Sequence, residues 1–232
     1  MMVHPVVDVL HVKAVMIHNR ETYQEWYEQN SHFSNVHVTS QWGRCHWTIP
    51  FIHGRVLEVG PQHGGITKII ATLDSVYEVV AIDITDRHIE ETKKTLSTLG
   101  IDGVDLRKCY LEDMPEDEKF DTILLFEVLE HFLDDKEALK KCHSLLNPSG
   151  CILISVPDAA TPIGAVGSEE DHLRAYTLES LGETISVLGE PIYWMNTIRE
   201  GPNGWILAHI EKGTKVIPMK YGVLPDGSIG VS

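Results

Sequence analysis

The stretch VLEVGPQHGG, residues 56–65, decides how the chain is read. An apolar run ends in a glycine-bearing turn, and GITKIIATL follows with Ile66, Ile69, Ile70 and Leu73 on one helical face. The pattern is a buried strand entering a turn and then a helix. Chains commonly hold a nucleotide-type ligand at such a turn. A pyrophosphate site would prefer G-x-G-x-x-G, but the frame from Gly60 reads G-P-Q-H-G-G, with Gln62 where the second glycine belongs. Glu58 stands two residues before Gly60, and a carboxylate there repels phosphate and welcomes a cation.

Outward from this turn, strand-like and helical segments alternate. EVVAID ends at Asp83, and TDRHIEETKKTLSTLG places Ile89, Leu96 and Leu99 on one stripe. VDLRKCY and FDTILLF read as strands, KEALKKCHSLL as a helix and GCILISV as a fifth strand. Residues 157–176 read as a long loop. TLESLGETISVLGEP reads as a helix with Leu178, Leu181, Ile185 and Leu188 inward, and PIYWMNTI and GWILAHIEK as an antiparallel hairpin. The fold class this predicts is α/β: a doubly wound, mostly parallel seven-stranded sheet with a C-terminal antiparallel hairpin. Residues 1–53 are expected to form a cap, with Tyr23, Trp26 and Tyr27 on one side of a short helix. Residues 54–212 form the main domain, and 213–232 a tail.

Composition narrows the partners. With 43% hydrophobic residues among 232, the chain can bury one sizeable core. A formal net charge of −15 disfavours long nucleic acid, which needs clustered cations. Four scattered cysteines without a CxxC pair fit a reducing compartment. The N-terminal MMVHPVVDVLHVKAV is broken by His4, Asp8, His11 and Lys13, so neither a secretory signal nor a membrane span is expected. The expectation is a soluble cytoplasmic protein. His4, His11 and His18 recur every seven residues, but no HExxH and no paired cysteines accompany the histidines, so no metal site is expected.

S-adenosylmethionine satisfies the charge argument: it lacks phosphate, carries a sulfonium and an ammonium, and offers ribose hydroxyls to an acid such as Asp83. Taken in order, VLEVGPQHGG, AIDIT, CYLEDMPEDEKFD, LLFEVLEHF and LLNPSGCILISVPD resemble the motifs of class I S-adenosylmethionine-dependent methyltransferases of the small-molecule branch. The resemblance covers roughly residues 54–190. It implies that Glu58 and Gly60, with Pro61 and Gln62 of the turn, border the methionine moiety. It likewise implies that Asp83 binds the ribose, that Ile84 lies on the adenine, and that Leu111 and Glu112 contact the adenine. Phe126 would offer its carbonyl to the ammonium, with Glu127 beside it. The turn departs from the family at residues 61–63, and Tyr110-Leu111 stands where an Asp and a small residue are usual.

His131, one helical turn past the fourth strand, and His172, in EEDHLRAYT, are the candidate catalytic bases for a hydroxyl or acidic acceptor. The reaction implied is methyl transfer to O, N or C of a small molecule. The alternatives are a silent S-adenosylmethionine-binding protein and, less favoured by Glu58 and Gln62, an NAD-linked oxidoreductase. The acceptor and the oligomeric state are not legible in the residues.

Overall fold

The computed structural model describes residues 47–164 and 172–213, together with the backbone of short strands at 221–223 and 229–231. The N-terminal histidines, the expected aromatic helix and most of the cap lie outside the described residues.

Seven strands form one sheet: β1 (Gly54–Val59), β2 (Val76–Asp83), β3 (Asp105–Lys108), β4 (Phe120–Phe126), β5 (Leu146–Pro157), β6 (Ile192–Glu200) and β7 (Asn203–Glu211). Their order is β3-β2-β1-β4-β5-β7-β6. The first five are parallel, while β7 runs antiparallel between β5 and β6. This is the architecture that the alternating strands and helices predict. A separate two-stranded ladder, β8 (Tyr221–Val223) with β9 (Ile229–Val231), lies in what the sequence reads as tail.

Both faces of the sheet are covered, which is why its central strands are continuous apolar runs and not alternating ones. Alternation along β1 sends Leu57 and Val59 into one core with Val80, Ile82, Ile123 and Leu125. Helix α3 (Asp135–Leu145) closes that side through Ala138, Leu139, Cys142 and Leu145, and α4 (Leu178–Ile185) through Leu181 and Ile185. Val56 enters the second core with Val79, Leu124, Leu153, Ile66 and Ile70. Each fully buried aliphatic side chain contributes about 1.5–3 kcal/mol relative to exposure.

Three helical readings need correction. The helix expected across residues 65–73 is α-helical only as α1 (Thr67–Ile70). The N–H groups of Ile69, Thr72 and Leu73 bond three residues back, so the segment tightens into 3₁₀ turns. Helix α2 (Asp86–Thr98) buries His88, Thr92 and Leu96, whereas Leu99 is exposed. The i, i+4 row 88/92/96 faces inward because the Thr92 and Thr95 hydroxyls donate to the Gln62 and His63 carbonyls of the glycine turn. Leu178, expected inward, is exposed in the first turn of α4, where a Thr177–Ser180 capping box sets the helix start. Among the described residues, no helix is long and apolar enough to cross a membrane.

Candidate active site

Strand order reverses between β1 and β4, and a parallel sheet binds ligands beyond the carboxyl ends of its strands at that point. A cleft of about 780 Å³, counting its open mouth, lies there. Residues following β1, β2, β3 and β4 line it: Gly60 and Gln62; Asp83 and Ile84; Tyr110, Leu111 and Glu112; and Glu127 and Val128. His131, Phe132 and Leu133 complete one wall.

Gly60 has φ +75°, and a β-carbon there would meet Val128 Cγ2 at 3.1 Å. The position therefore needs glycine twice over, for its dihedral and for the close approach of the β4 loop. Gln62 takes φ +50°, a left-handed conformation that glycine adopts at little cost. The turn tolerates this departure from the family pattern because it is tied down. Thr92 Oγ1 donates to Gln62 O at 3.0 Å and Thr95 Oγ1 to His63 O at 2.7 Å.

Glu58 is placed differently from the sequence expectation. It is 4% exposed and is not among the residues lining the cleft, since alternation turns it to the face of Val56, beside Thr67. Desolvation, opposed by its interaction with Thr67 and reinforced by the Asp83 charge, pushes its pKa up to about 7. The carboxylates that face the cleft are instead Asp83, Glu112 and Glu127. The negative charge at the cleft therefore comes from these three acids and not from Glu58.

Glu127 is the second non-glycine residue of the cleft with positive φ, at +55°. Its N–H donates to Ser155 O at 2.8 Å, Trp205 Nε1 donates to its Oε2 at 2.8 Å, and the Ser155 hydroxyl donates to its Oε1. Donors from β5 and β7 thus hold a strained residue at the end of β4. Strain persists where the surroundings over-determine it.

At one wall of the cleft, Glu130, His131 and His172 converge. The Glu130 side chain is 2% exposed, and the Nε2 atoms of His131 and His172 each lie 3.9 Å from its Oε1. The two imidazole rings are 5.0 Å apart, centroid to centroid. Leu173 N–H bonds Glu130 O at 3.0 Å. The Arg174 guanidinium donates to the carbonyls of Leu129, Phe132 and Leu133, so the segment bearing His172 is strapped to the one bearing His131. One donor atom from each of Glu130, His131 and His172 lies within 4.8 Å of the others, a set that a divalent cation could share. Glu130 and His131 are adjacent, but His172 lies 41 positions beyond His131, which is why spacing did not reveal the cluster.

Of the residues singled out from sequence, Gly60, Gln62, Asp83, Ile84, Leu111, Glu112, Glu127 and His131 line the cleft; Glu58, Pro61, Phe126 and His172 do not. Phe126 is the last residue of β4, with an 8% exposed side chain in the second core. Sequence reasoning missed His88, Ser155, Arg174 and Trp205. His88, Arg174 and Trp205 lie outside the quoted motifs; Ser155 lies inside the fifth, but its bond to Glu127 is a product of packing between β4 and β5. Arg174 alone left a signal, an isolated cation beside His172.

The strand order and the glycine turn define a Rossmann-like fold whose cleft presents Asp83, Glu112 and Glu127. Residues 52–199 match a family model described as a methyltransferase domain. The chain belongs to the class I S-adenosylmethionine-dependent methyltransferases. This membership sets aside the nicotinamide alternative.

One relative is a ubiquinone biosynthesis O-methyltransferase of Actinobacillus pleuropneumoniae, 28% identical over 140 residues that cover 56% of this chain and 58% of that protein. The chain therefore spans little more than half of that relative. Among solved structures, an S-adenosylmethionine-dependent methyltransferase from Clostridium acetobutylicum aligns with TM-score 0.59 at 12% identity, covering 88% of this chain and 99% of that one. The N-methyltransferase NodS from Bradyrhizobium japonicum, in complex with S-adenosylhomocysteine, aligns with TM-score 0.57 at 16% identity, covering 89% and 100%. At such identities these two structures speak for the fold alone.

Proposed function

We propose that this enzyme methylates a hydroxyl oxygen of a small acceptor, with His131 as the proton acceptor. The observation that carries the reading is the placement of His131 in the cleft wall, with the buried Glu130 carboxylate and His172 behind it. The donor supplies a methyl group on a sulfonium. Bound in the cleft, the donor would supply the methyl group to the acceptor oxygen and keep the bonding pair on its sulfur, while His131 would accept the hydroxyl proton. Glu130, whose Oε1 lies 3.9 Å from His131 Nε2, stabilises the imidazolium so formed through its charge. Gly60 and Asp83 hold the donor, and apolar Val128, Phe132 and Leu133 exclude water from the transfer axis. The O-methyltransferase name of the relative supports an oxygen acceptor.

The test incubates the protein with methyl-labelled S-adenosylmethionine and a panel of phenols, catechols, alcohols and amines, with products read by mass spectrometry. Labelled methyl ethers are expected. Label only on nitrogen or carbon, undiminished in His131→Ala, would sink the reading.

The same geometry favours a second reading, in which Glu130, His131 and His172 hold a divalent cation that binds the acceptor oxygen and lowers its pKa. Titration with Mn²⁺ followed by electron paramagnetic resonance separates the two. Tight binding lost in His172→Ala would favour the cation; no binding at millimolar Mn²⁺ leaves the histidine acting as base.

A further inference from the structure

Asp83 closes β2 and lines the cleft, yet three donors converge on one of its oxygens. Oδ1 accepts from Thr85 N–H at 2.9 Å, from the Thr85 hydroxyl at 3.0 Å and from His88 Nδ1 at 3.2 Å. Among the described residues, Oδ2 accepts only from the same imidazole nitrogen, at 3.1 Å. A carboxylate oxygen offers about two lone-pair sites, so Oδ1 is saturated and Oδ2 keeps capacity for a guest. The imidazole bridges both oxygens and so fixes the rotation of the carboxylate about its own axis.

His88 is itself held from two directions. It is 4% exposed in the first turn of α2, and its backbone N–H donates to Thr85 Oγ1 at 3.2 Å, the bond that caps this helix. The turn that brings the chain out of β2 therefore builds one unit: Thr85 caps the helix and saturates Oδ1, while the helix delivers His88 to both oxygens. No family motif quoted from the sequence includes His88, and its position on the buried 88/92/96 row is a product of the packing of α2.

We propose that His88 is a positioning residue that presents Asp83 Oδ2 to the vicinal hydroxyls of the ribose, so that discrimination for a ribose-bearing donor depends on an imidazole outside the recognised motifs. This inference rests on reading the cleft as the adenosyl site. Nδ1 must carry the proton in this arrangement, since the carboxylate can only accept.

The test is calorimetry on the full chain with S-adenosylhomocysteine and with its 2′,3′-dideoxy analogue, in wild type, His88→Leu and His88→Asn. In His88→Leu, affinity for S-adenosylhomocysteine is expected to fall about tenfold or more, the usual scale for losing a hydrogen bond to a charged group. Affinity for the dideoxy analogue should change by less than about threefold, a smaller effect than one neutral hydrogen bond. His88→Asn, which returns an N–H donor near the position of Nδ1, should recover most of the loss. Equal loss for both ligands would mean a merely structural role and would overturn the proposal, as would unchanged affinity for S-adenosylhomocysteine. Should His88→Leu fail to fold, ¹⁵N-histidine spectra of the wild type decide: the His88 Nδ1 resonance must move with S-adenosylhomocysteine and stay with the dideoxy analogue, and any other pattern overturns it. A wild type that binds neither ligand would sink the adenosyl reading first and this inference with it.

Discussion

Trp205, in the antiparallel strand β7, donates its indole N–H to Glu127 Oε2 at 2.8 Å, so a strand added to the parallel sheet secures the residue that ends β4 in the cleft. Trp205 is 2% exposed, and Glu127 holds a φ of +55° that few non-glycine residues accept. Trp205→Phe keeps the buried ring and removes the donor. We expect it to weaken S-adenosylhomocysteine binding about tenfold, measured by calorimetry, because the Glu127 carboxylate loses a charge-assisted bond and its orientation. Unchanged affinity would show that Ser155 alone suffices to hold it.

The Glu130–His131–His172 cluster leads to a kinetic prediction. His131→Ala is expected to lower kcat by about 10²- to 10⁴-fold, the usual contribution of a general base. The dissociation constant for S-adenosylhomocysteine should stay within about threefold of wild type, since the lost step is proton transfer and not donor binding. Single-turnover kinetics with binding measured alongside checks both numbers. A parallel loss of donor binding would place His131 in the donor subsite instead.

Glu58 predicts a pH-dependent stability. Its pKa rises from 4.5 unfolded to about 7 folded because burial disfavours the charge. Between those values the native state holds a proton that the unfolded state has released, so stability falls as pH rises from about 4.5 to 7 and is level above that. At about 1.4 kcal/mol per unit, the full effect is on the order of 3 kcal/mol. Glu58→Gln mimics the neutral form at every pH and should melt higher than wild type at pH 8 while matching it near pH 4.5. Equal melting shifts at both pH values would refute the linkage.

His209 has the opposite sign. It is 1% exposed on β7, with ring centroids of Phe51, Tyr193 and Trp194 at 4.5, 5.0 and 5.9 Å. Among the described residues neither ring nitrogen has a hydrogen-bond partner, and Glu211 Oε1 lies 3.5 Å from Nε2. Burial lowers its pKa from 6.5 to about 4, with the nearby Glu211 carboxylate pulling the other way. Between those values the unfolded state binds the extra proton, so this contribution to stability is present above pH 6.5 and is lost as pH falls toward 4. His209→Phe keeps the aromatic packing and should flatten the acid limb of the stability profile, by roughly 2 kcal/mol at pH 4.5. Urea unfolding across pH 4.5–8 measures it, and an unchanged acid limb would assign the loss to other groups.

The sheet was largely legible because its information is local. Strand runs, the glycine turn and helical spacing over residues 54–212 follow from side-chain period and turn chemistry, and the sheet they imply is the sheet observed. Legibility failed where one face had to be chosen over another. Apolar spacing marked Leu99 and Leu178 as inward, but the hydroxyl bonds of Thr92 and Thr95 and the capping box at Thr177 set which row is buried.

At the site, the residues of one segment were readable and the relations between segments were not. Order along the chain determined that a glycine turn, Asp83 after β2 and an acid after β4 would meet at the carboxyl ends of parallel strands. Only the tertiary structure decided that Glu58 turns away from the cleft, that Trp205 and Ser155 hold Glu127, and that His172 joins Glu130 and His131. The reason is range. Period and turn propensity act over a few residues, whereas a carboxylate's partners are whatever donors packing brings within about 3 Å, at any separation along the chain.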